Sequence, residues 1–215
     1  MKNLLTALAG LALALVCNLA PLAAQQAQDA ENTIVLELKS GKVLIRLRPD
    51  LAPRHVERIK KLTREGFYNG HKFHRVIARF MAQTGDPTGT GTGGSKYGNL
   101  PAEFTKTPFS RGALGMARSS SPDSANSQFF IMFERSLELE GNYTVWGQVI
   151  QGMEFVDQIK KGDPAANGAV KDPDIIQKMY VLADGDKPAA PAAPAKTARP
   201  KSAAPAAAPP ASSKQ

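Results

Sequence analysis

The chain carries the stretch Phe73-His-Arg-Val-Ile-Ala-Arg-Phe-Met-Ala-Gln-Thr-Gly-Asp86, on which the fold prediction depends most. Two strands are predicted in it, Lys72–Ile77 and Phe80–Thr84. Side chains alternate between the two faces of a strand, so Arg75 and Ile77 share one face. This face would place an arginine beside the apolar side chains of residues such as Met81 and Phe130. A cation beside an apolar pocket is typical of a recognition site.

Further β-rich runs lie on both sides of this stretch. The other predicted strands are Thr33–Leu38, Lys42–Leu47, Gly112–Ala117, Gln128–Phe133, Thr144–Ile150 and Ile175–Leu182. The first two are joined by a Lys39-Ser-Gly-Lys42 hairpin turn. One helix is predicted from Pro53 to about Arg64, with Asp50 as its cap, and a second over Met153–Lys160. Many strands with one early and one late helix favour a mainly β fold, a closed barrel rather than a βαβ sheet.

The 215 residues allow one domain with appendages at both ends. Lys2, a long apolar stretch and Ala23-Ala24 predict a signal peptide over residues 1–24, followed by a short linker over 25–32. An uncleaved anchor or a lipid on Cys17 are the alternatives. The domain itself is predicted over 33–184. Residues 185–215 are rich in Ala, Pro and Lys and lack core-forming side chains, which predicts a disordered tail.

The net charge of +8 by itself suggests an anionic partner. The leader and the tail carry five of these charges, so the predicted domain is only weakly basic and nucleic-acid binding is not expected. The single cysteine excludes a disulfide framework, and the three histidines make a poor metal set. The glycine run Gly85–Gly94 lacks the order of a nucleotide-binding loop, and Ser119–Ser121 lacks the glycine-flanked turn of a hydrolase nucleophile. No cofactor or metal is expected.

Three long motifs occur in a characteristic order: Phe73–Asp86, then Gly112–Arg118 with Asp123–Ile131, then Gly-Asn-Tyr-Thr-Val-Trp-Gly147. In these residues the chain resembles the cyclophilin family of peptidyl-prolyl cis-trans isomerases, over about Thr33–Leu182, and looks like a bacterial exported member. The resemblance implies an eight-stranded antiparallel barrel capped by two helices.

The resemblance also implies the site. Arg75 matches the catalytic arginine. The proline pocket is matched by Phe80, Met81, Phe130 and Leu139, its polar rim by Gln83 and Gln128, and the strip whose backbone pairs with the peptide by Ala117, Arg118 and Ser119. Two positions depart from the well-studied eukaryotic members, because Glu138 replaces a tryptophan and Tyr143 a histidine. Weak binding of cyclosporin is therefore expected.

The function expected from these residues is isomerisation of X-Pro bonds in exported proteins, in the periplasm, without a cofactor. The expected partners are proline-containing unfolded polypeptides, and we expect a monomer with no stable membrane insertion once the leader is removed. Two alternatives stay open. The same groove would serve a noncatalytic proline-binding module, and the basic tail would serve an envelope scaffold.

Overall fold

A computed structural model describes residues 24–185. Its helices are α1 over residues 24–31, α2 over Pro53–Arg64 and α3 over Met153–Asp157. Its strands are β1 (Thr33–Leu38), β2 (Gly41–Leu47), β3 (Arg75–Ile77), β4 (Met81–Thr84), β5 (Ala113–Met116), β6 (Phe129–Met132), β7 (Val145–Gln151) and β8 (Lys178–Val181). All eight predicted strands are present, and α1 occupies most of the segment that was expected to be a linker. The predicted leader and tail lie outside the described residues.

The eight strands form one antiparallel sheet in the order β3-β4-β6-β5-β7-β2-β1-β8. The mainly β prediction is confirmed, but the closed barrel is wrong, because the sheet is an open half-barrel whose edges are β3 and β8. Only the segments preceding these edge strands meet, where Lys72 pairs with Ile175. Closure is prevented because the outer edge of β3 is already occupied. There the amide of Val76 donates to the Gly168 carbonyl at 2.8 Å, and its carbonyl accepts from Gly162.

Alternation along the strands separates two apolar clusters. In β6, Phe129 and Ile131 belong to the main core, whereas Phe130 and Met132 belong to a second cluster on the opposite face. The main core also contains Val56, Ile59 and Leu62 of α2, which packs against β7 and β8. Helix α2 therefore covers one face of the sheet and leaves the other face for the second cluster.

The start of α2 differs from the prediction. Pro53 is its first residue, as expected, but Asp50 does not cap it, because its carboxylate accepts hydrogen bonds from Arg48 instead. The cap comes from Glu103, which is distant in sequence. Its two carboxylate oxygens accept the amides of Arg54 and His55, at 3.2 and 3.1 Å. A carboxylate at this end of a helix also complements the helix dipole.

Helix α3 ends three residues before the predicted Lys160. The amide of Lys160 donates to the Asp174 carboxylate at 2.8 Å instead of to a helical carbonyl, so the chain turns away there. Within residues 24–185, no helix combines the length and the apolar character needed to cross a bilayer.

The Glu103 cap generates a prediction about acid stability. Burial alone would raise the pKa of Glu103, but hydrogen bonds from the His55 ring and from the two amides outweigh it, so this pKa lies below its ordinary value. Burial also lowers the pKa of His55, whose Nδ1 lies 2.6 Å from the carboxylate. Both groups stabilise the fold above their unfolded pKa values, of about 4.3 and 6.5, and lose this contribution as the pH falls.

We expect Glu103→Gln to lower the free energy of unfolding by about 1–2 kcal/mol at pH 7, because the amide is a weaker acceptor for two backbone donors. The loss should be smaller at about pH 3, because this carboxyl becomes protonated between its ordinary pKa of about 4.3 and its lower pKa in the folded protein. Urea denaturation at both pH values measures it. Glu57→Gln, an exposed change on the same helix, is the matched control. An equal loss at both pH values would contradict the assignment.

Candidate active site

The second apolar cluster lies on the face of the sheet opposite α2. Its members are Phe80, Met81, Phe109, Ala113, Ala117, Phe130, Met132, Leu139, Tyr143 and Val145. We call this set the groove cluster. It reaches the surface at Phe80, with 8% of its surface exposed, and at Tyr143, with 7%. Four predicted pocket residues, from β4, β6 and the loops beside them, are therefore brought together with Tyr143 and Ala117.

Phe130 lies at the centre of the groove cluster. Its ring stacks on Phe109 with centroids 5.7 Å apart and meets Tyr143 edge to face at 5.9 Å. Gly115 of β5 makes room for this packing. A Cβ at that position would lie 2.6 Å from a Phe109 ring carbon and would also overlap the Phe130 ring. A glycine inside a strand thus allows two aromatic rings to lie directly on the backbone.

Arg75 is buried beside the groove cluster, with 8% of its surface exposed. Antiparallel pairing of β3 and β4 sets it opposite Gln83. Its Nε donates to the carbonyl oxygen of Asn167 and its Nη2 to the side-chain Oδ1 of the same residue, both at 2.9 Å. Its Nη1 lies 3.4 Å from Gln83 Oε1 and 4.0 Å from Met81 Sδ. The guanidinium is therefore fixed against the apolar side chains.

Two buried amides extend the contacts of Arg75. Gln83 donates from Nε2 to Gln128 Oε1 at 2.9 Å. Gln128 in turn donates to the carbonyls of Gly91 and Gly93, at 3.0 and 2.8 Å. These bonds fix the amide orientations, because each nitrogen faces an acceptor. The predicted polar rim thus forms one hydrogen-bonded chain from the arginine to the glycine-rich loop.

The electrostatics of the site follow from burial. Burial lowers the pKa of Arg75 to about 10, a shift that the nearby Tyr143 opposes. The guanidinium therefore stays charged near pH 7. Burial raises the pKa of Tyr143, and its phenol stays neutral. The site offers one fixed cation in weakly hydrated surroundings, where its field acts more strongly than in water.

The predicted backbone strip follows β5. Ala117 is buried in the groove cluster, and its amide donates to the Gln128 carbonyl at 2.9 Å. The amide of Ser119 donates to Ser124 Oγ at 2.8 Å. Between them, the Arg118 guanidinium lies 4.4 Å from the centre of the Tyr143 ring. The strip therefore borders the groove cluster, with Arg118 covering Tyr143.

Comparison with known proteins identifies the family. The family model for cyclophilin-type peptidyl-prolyl cis-trans isomerases matches residues 33–181. The chain belongs to the cyclophilin family. It is a peptidyl-prolyl cis-trans isomerase.

Two curated relatives show the extent of the similarity. A probable peptidyl-prolyl cis-trans isomerase of Brucella suis is 59% identical over 169 residues, which cover 74% of this cyclophilin and 86% of the relative. Peptidyl-prolyl cis-trans isomerase B of Bacillus subtilis is 44% identical over 125 residues, covering 57% of this chain and 86% of the relative.

Solved structures agree with the fold. A cyclophilin from Hirschia baltica has a TM-score of 0.65 at 27% identity, covering 73% of this chain and 76% of its own. A cyclophilin-type isomerase from Cryptosporidium parvum, crystallised in the presence of the dipeptide Ala-Pro, has a TM-score of 0.64 at 30% identity. That match covers 69% of this chain and 98% of the other.

Of the two positions expected to depart from the eukaryotic pattern, Glu138 lies at the surface of this cyclophilin. Glu138 is exposed in a short 3-10 turn, Leu137–Leu139. Leu139, the last residue of this turn, is buried in the groove cluster. The turn therefore places a charged side chain beside a pocket residue.

Sequence analysis missed three residues of this site. Phe109 and Gly115 support the Phe130 ring, and a glycine inside a predicted strand was the available signal for the close approach. Asn167 holds Arg75 from 92 positions away, and its backbone has a left-handed φ of +53°. The Asn167-Gly168 dipeptide signals a turn, but nothing in the sequence indicates where that turn packs.

The sequence predicts no metal site. No group of three or more His, Cys, Asp or Glu side chains within residues 24–185 is arranged to hold a metal ion.

We expect Asn167→Gly to lower the turnover of this cyclophilin roughly 5- to 13-fold while peptide affinity changes little. Glycine keeps the carbonyl bond to Arg75 Nε and tolerates positive φ, but it removes the bond to Nη2, worth about 1–1.5 kcal/mol. Measuring the catalytic rate and the peptide dissociation constant on the same samples separates orientation from binding.

Asp172→Gly is the matched control, because Asp172 is exposed and also has a left-handed φ, of +51°. It introduces the same backbone freedom without touching Arg75. An equal loss of turnover in both variants would show that loop flexibility, not the lost hydrogen bond, is responsible.

Proposed function

We propose that this chain accelerates cis-trans rotation about X-Pro bonds in exported polypeptides, noncovalently, and thereby assists their folding. Buried Arg75 beside the groove cluster is the observation that carries the proposal, because it joins a fixed cation to an apolar surface that includes aromatic rings. The relative crystallised with Ala-Pro supports a proline-containing ligand at such a site.

The mechanism follows from the amide bond. Resonance gives the X-Pro bond a rotational barrier of about 18–20 kcal/mol, so uncatalysed exchange takes tens to hundreds of seconds. Twisting localises a lone pair on the prolyl nitrogen. A guanidinium held near this nitrogen or the adjacent carbonyl stabilises the twisted amide more than either planar isomer. Rotation breaks and forms no covalent bond, and it requires no proton transfer.

In this mechanism the residues of the site have different roles. The groove cluster, with Phe130 at its centre, holds the proline ring while the rest of the peptide turns. Asn167 and Gln83 fix the orientation of Arg75, so that little reorganisation is needed in the transition state. The strip over Ala117 and Arg118 is proposed to align the peptide backbone along the groove.

A noncatalytic proline-binding module would need only the groove cluster. Burying a cation costs free energy, and here Arg75 is held by hydrogen bonds that it donates to oxygens of Asn167 and Gln83. A module that only binds proline does not need a buried cation. The arrangement therefore supports catalysis over simple binding.

Exposed Glu138 is the basis for proposing weak binding of cyclosporin. A carboxylate offers neither the flat apolar contact nor the indole donor of the tryptophan that it replaces.

The export part of the proposal rests on residues 1–24, with Lys2, an apolar stretch and Ala23-Ala24. We propose the periplasm as the location, and a monomer with no lasting membrane insertion as the mature form. The clients would be proline-containing polypeptides that emerge there unfolded.

We expect Arg75→Ala to reduce the catalytic rate by about 10² to 10³, equivalent to roughly 3–4 kcal/mol, because the lost cation acts mainly on the twisted amide. Arg75→Lys should restore little, since an ammonium lacks the planar fork of donors that Asn167 and Gln83 engage. An NMR exchange assay on a proline peptide gives the rate, and circular dichroism verifies folding.

Phe130→Ala is the contrasting variant, because it empties the groove cluster and should weaken peptide affinity as well as turnover. Near-normal turnover in folded Arg75→Ala would overturn the mechanism. Peptide binding with no turnover in the unmodified protein would favour the binding module.

The export prediction is that mature protein from a periplasmic fraction begins near Gln25. Intact-mass measurement of the full-length gene product tests this, because cleavage removes the leader and leaves no acyl group. A retained Met1, or a mass that includes a lipid on Cys17, would contradict the proposed processing.

A further inference from the structure

Arg118 is held in a defined orientation beside the groove cluster. Its guanidinium lies 4.4 Å from the centre of the Tyr143 ring and 5.7 Å from that of Phe104. Its Nε and Nη2 both donate to the carbonyl of Asn142, at 3.2 and 3.0 Å. Its Nη1 donates to the carbonyls of Ser119 and Ser120, at 2.9 and 3.3 Å. The side chain is therefore a fixed feature of the site and not a freely moving surface arginine.

All of these acceptors are uncharged. A guanidinium has five N–H donors, and the four contacts to carbonyl oxygens leave one donor on Nη2 for a ligand. No carboxylate within residues 24–185 forms an ion pair with Arg118. The half-buried cation is thus oriented but not neutralised.

The acidic groups on neighbouring segments are engaged elsewhere or remain in solvent. Glu140 pairs with Arg135 at 2.9 Å, and the Asp123 carboxylate accepts the amide of Ala102 at 2.8 Å. Glu103, which precedes Phe104, caps α2. Glu138 is exposed and forms no ion pair with Arg118. The groove is therefore bordered by two arginines, Arg75 and Arg118, and none of these carboxylates is bonded to the Arg118 guanidinium.

The distances show which part of a peptide would meet Arg118. The Phe130 and Tyr143 ring centres are 5.9 Å apart, and Arg118 lies on Tyr143. A proline held on Phe130 therefore has its neighbours within reach, because an extended chain advances about 3.4 Å per residue. Side chains one to three residues from the proline pass close to the guanidinium.

We propose that Arg118 gives this isomerase a preference for X-Pro segments that carry an acidic side chain within three residues of the proline. The inference rests on the proposed function, because it places the substrate proline in the groove cluster. A carboxylate there accepts a hydrogen bond from the remaining Nη2 donor. It is also attracted by the charge of an arginine whose orientation is already fixed. Lysine at the same place is repelled.

The test uses the full mature chain and peptides with three residues on each side of a central proline, acetylated and amidated so that no terminal charge interferes. Glu, Gln and Lys are compared in turn at each position flanking the proline. We expect kcat/KM for the best-placed Glu peptide to exceed that of its Gln counterpart about two- to fivefold at low salt, with the Lys peptide below both. The ratio should fall towards one as salt increases.

Arg118→Gln should abolish the Glu-to-Gln ratio, whatever its effect on overall turnover. Arg64→Gln is the matched control, because it removes the same charge from the last turn of α2, on the other face of the sheet, and should keep the ratio. Equal kcat/KM for Glu and Gln peptides at every position would overturn the inference and leave the isomerase function standing. No turnover of any peptide would overturn the proposed function itself, and a ratio that persists in Arg118→Gln would assign the preference to another cation.

Discussion

The geometry of the site depends on how the outer edge of β3 is covered. An unpaired edge strand exposes amides and carbonyls that need partners. Here residues 162–170 supply them, through the bonds between Val76 and Gly168 and between Gly162 and Val76. The same loop brings Asn167 to the Arg75 guanidinium. Had the sheet closed through pairing of β3 with β8, this loop would have no place at that edge. The open half-barrel and the orientation of Arg75 therefore depend on the same loop.

The two faces of the sheet serve different purposes. One is filled by α2 and the main core and supplies stability. The other carries the groove cluster, to which α1, α2 and α3 contribute no residue, and it reaches the surface beside Arg75. Gly115 is what lets Phe130 and Phe109 lie flat on this second face. The absence of a side chain in β5 thus shapes the surface that is proposed to hold proline.

The two arginines at the site, Arg75 and Arg118, carry the same charge but differ in position. Arg75 is buried and donates hydrogen bonds to oxygens of Asn167 and Gln83, which orient its guanidinium beside the groove cluster. Arg118 lies nearer to solvent and is also bonded to neutral oxygens, so its field is available to a substrate side chain. In the proposed function the first cation acts on the reaction, and in the further inference the second acts on the choice of substrate. A carboxylate bonded to either would cancel the corresponding effect.

The sequence by itself determined the features that depend on local patterns, which are the strands, helix α2 and the face that a strand side chain occupies. Alternation along β3 placed Arg75 and Ile77 on one face, and β-rich runs and the Pro53 start predicted the strands and α2. The motifs in order indicated the family, whose resemblance assigned Gln83 to the polar rim. Tertiary structure decided the rest, because the partners are distant in sequence and carry no periodic signal. Asn167 holds Arg75 from a turn 92 residues away, and Glu103, not nearby Asp50, caps α2. Openness of the barrel was likewise set by competition for the β3 edge. Short-range geometry fixes which face a side chain occupies, whereas only the folded chain fixes which backbone reaches it.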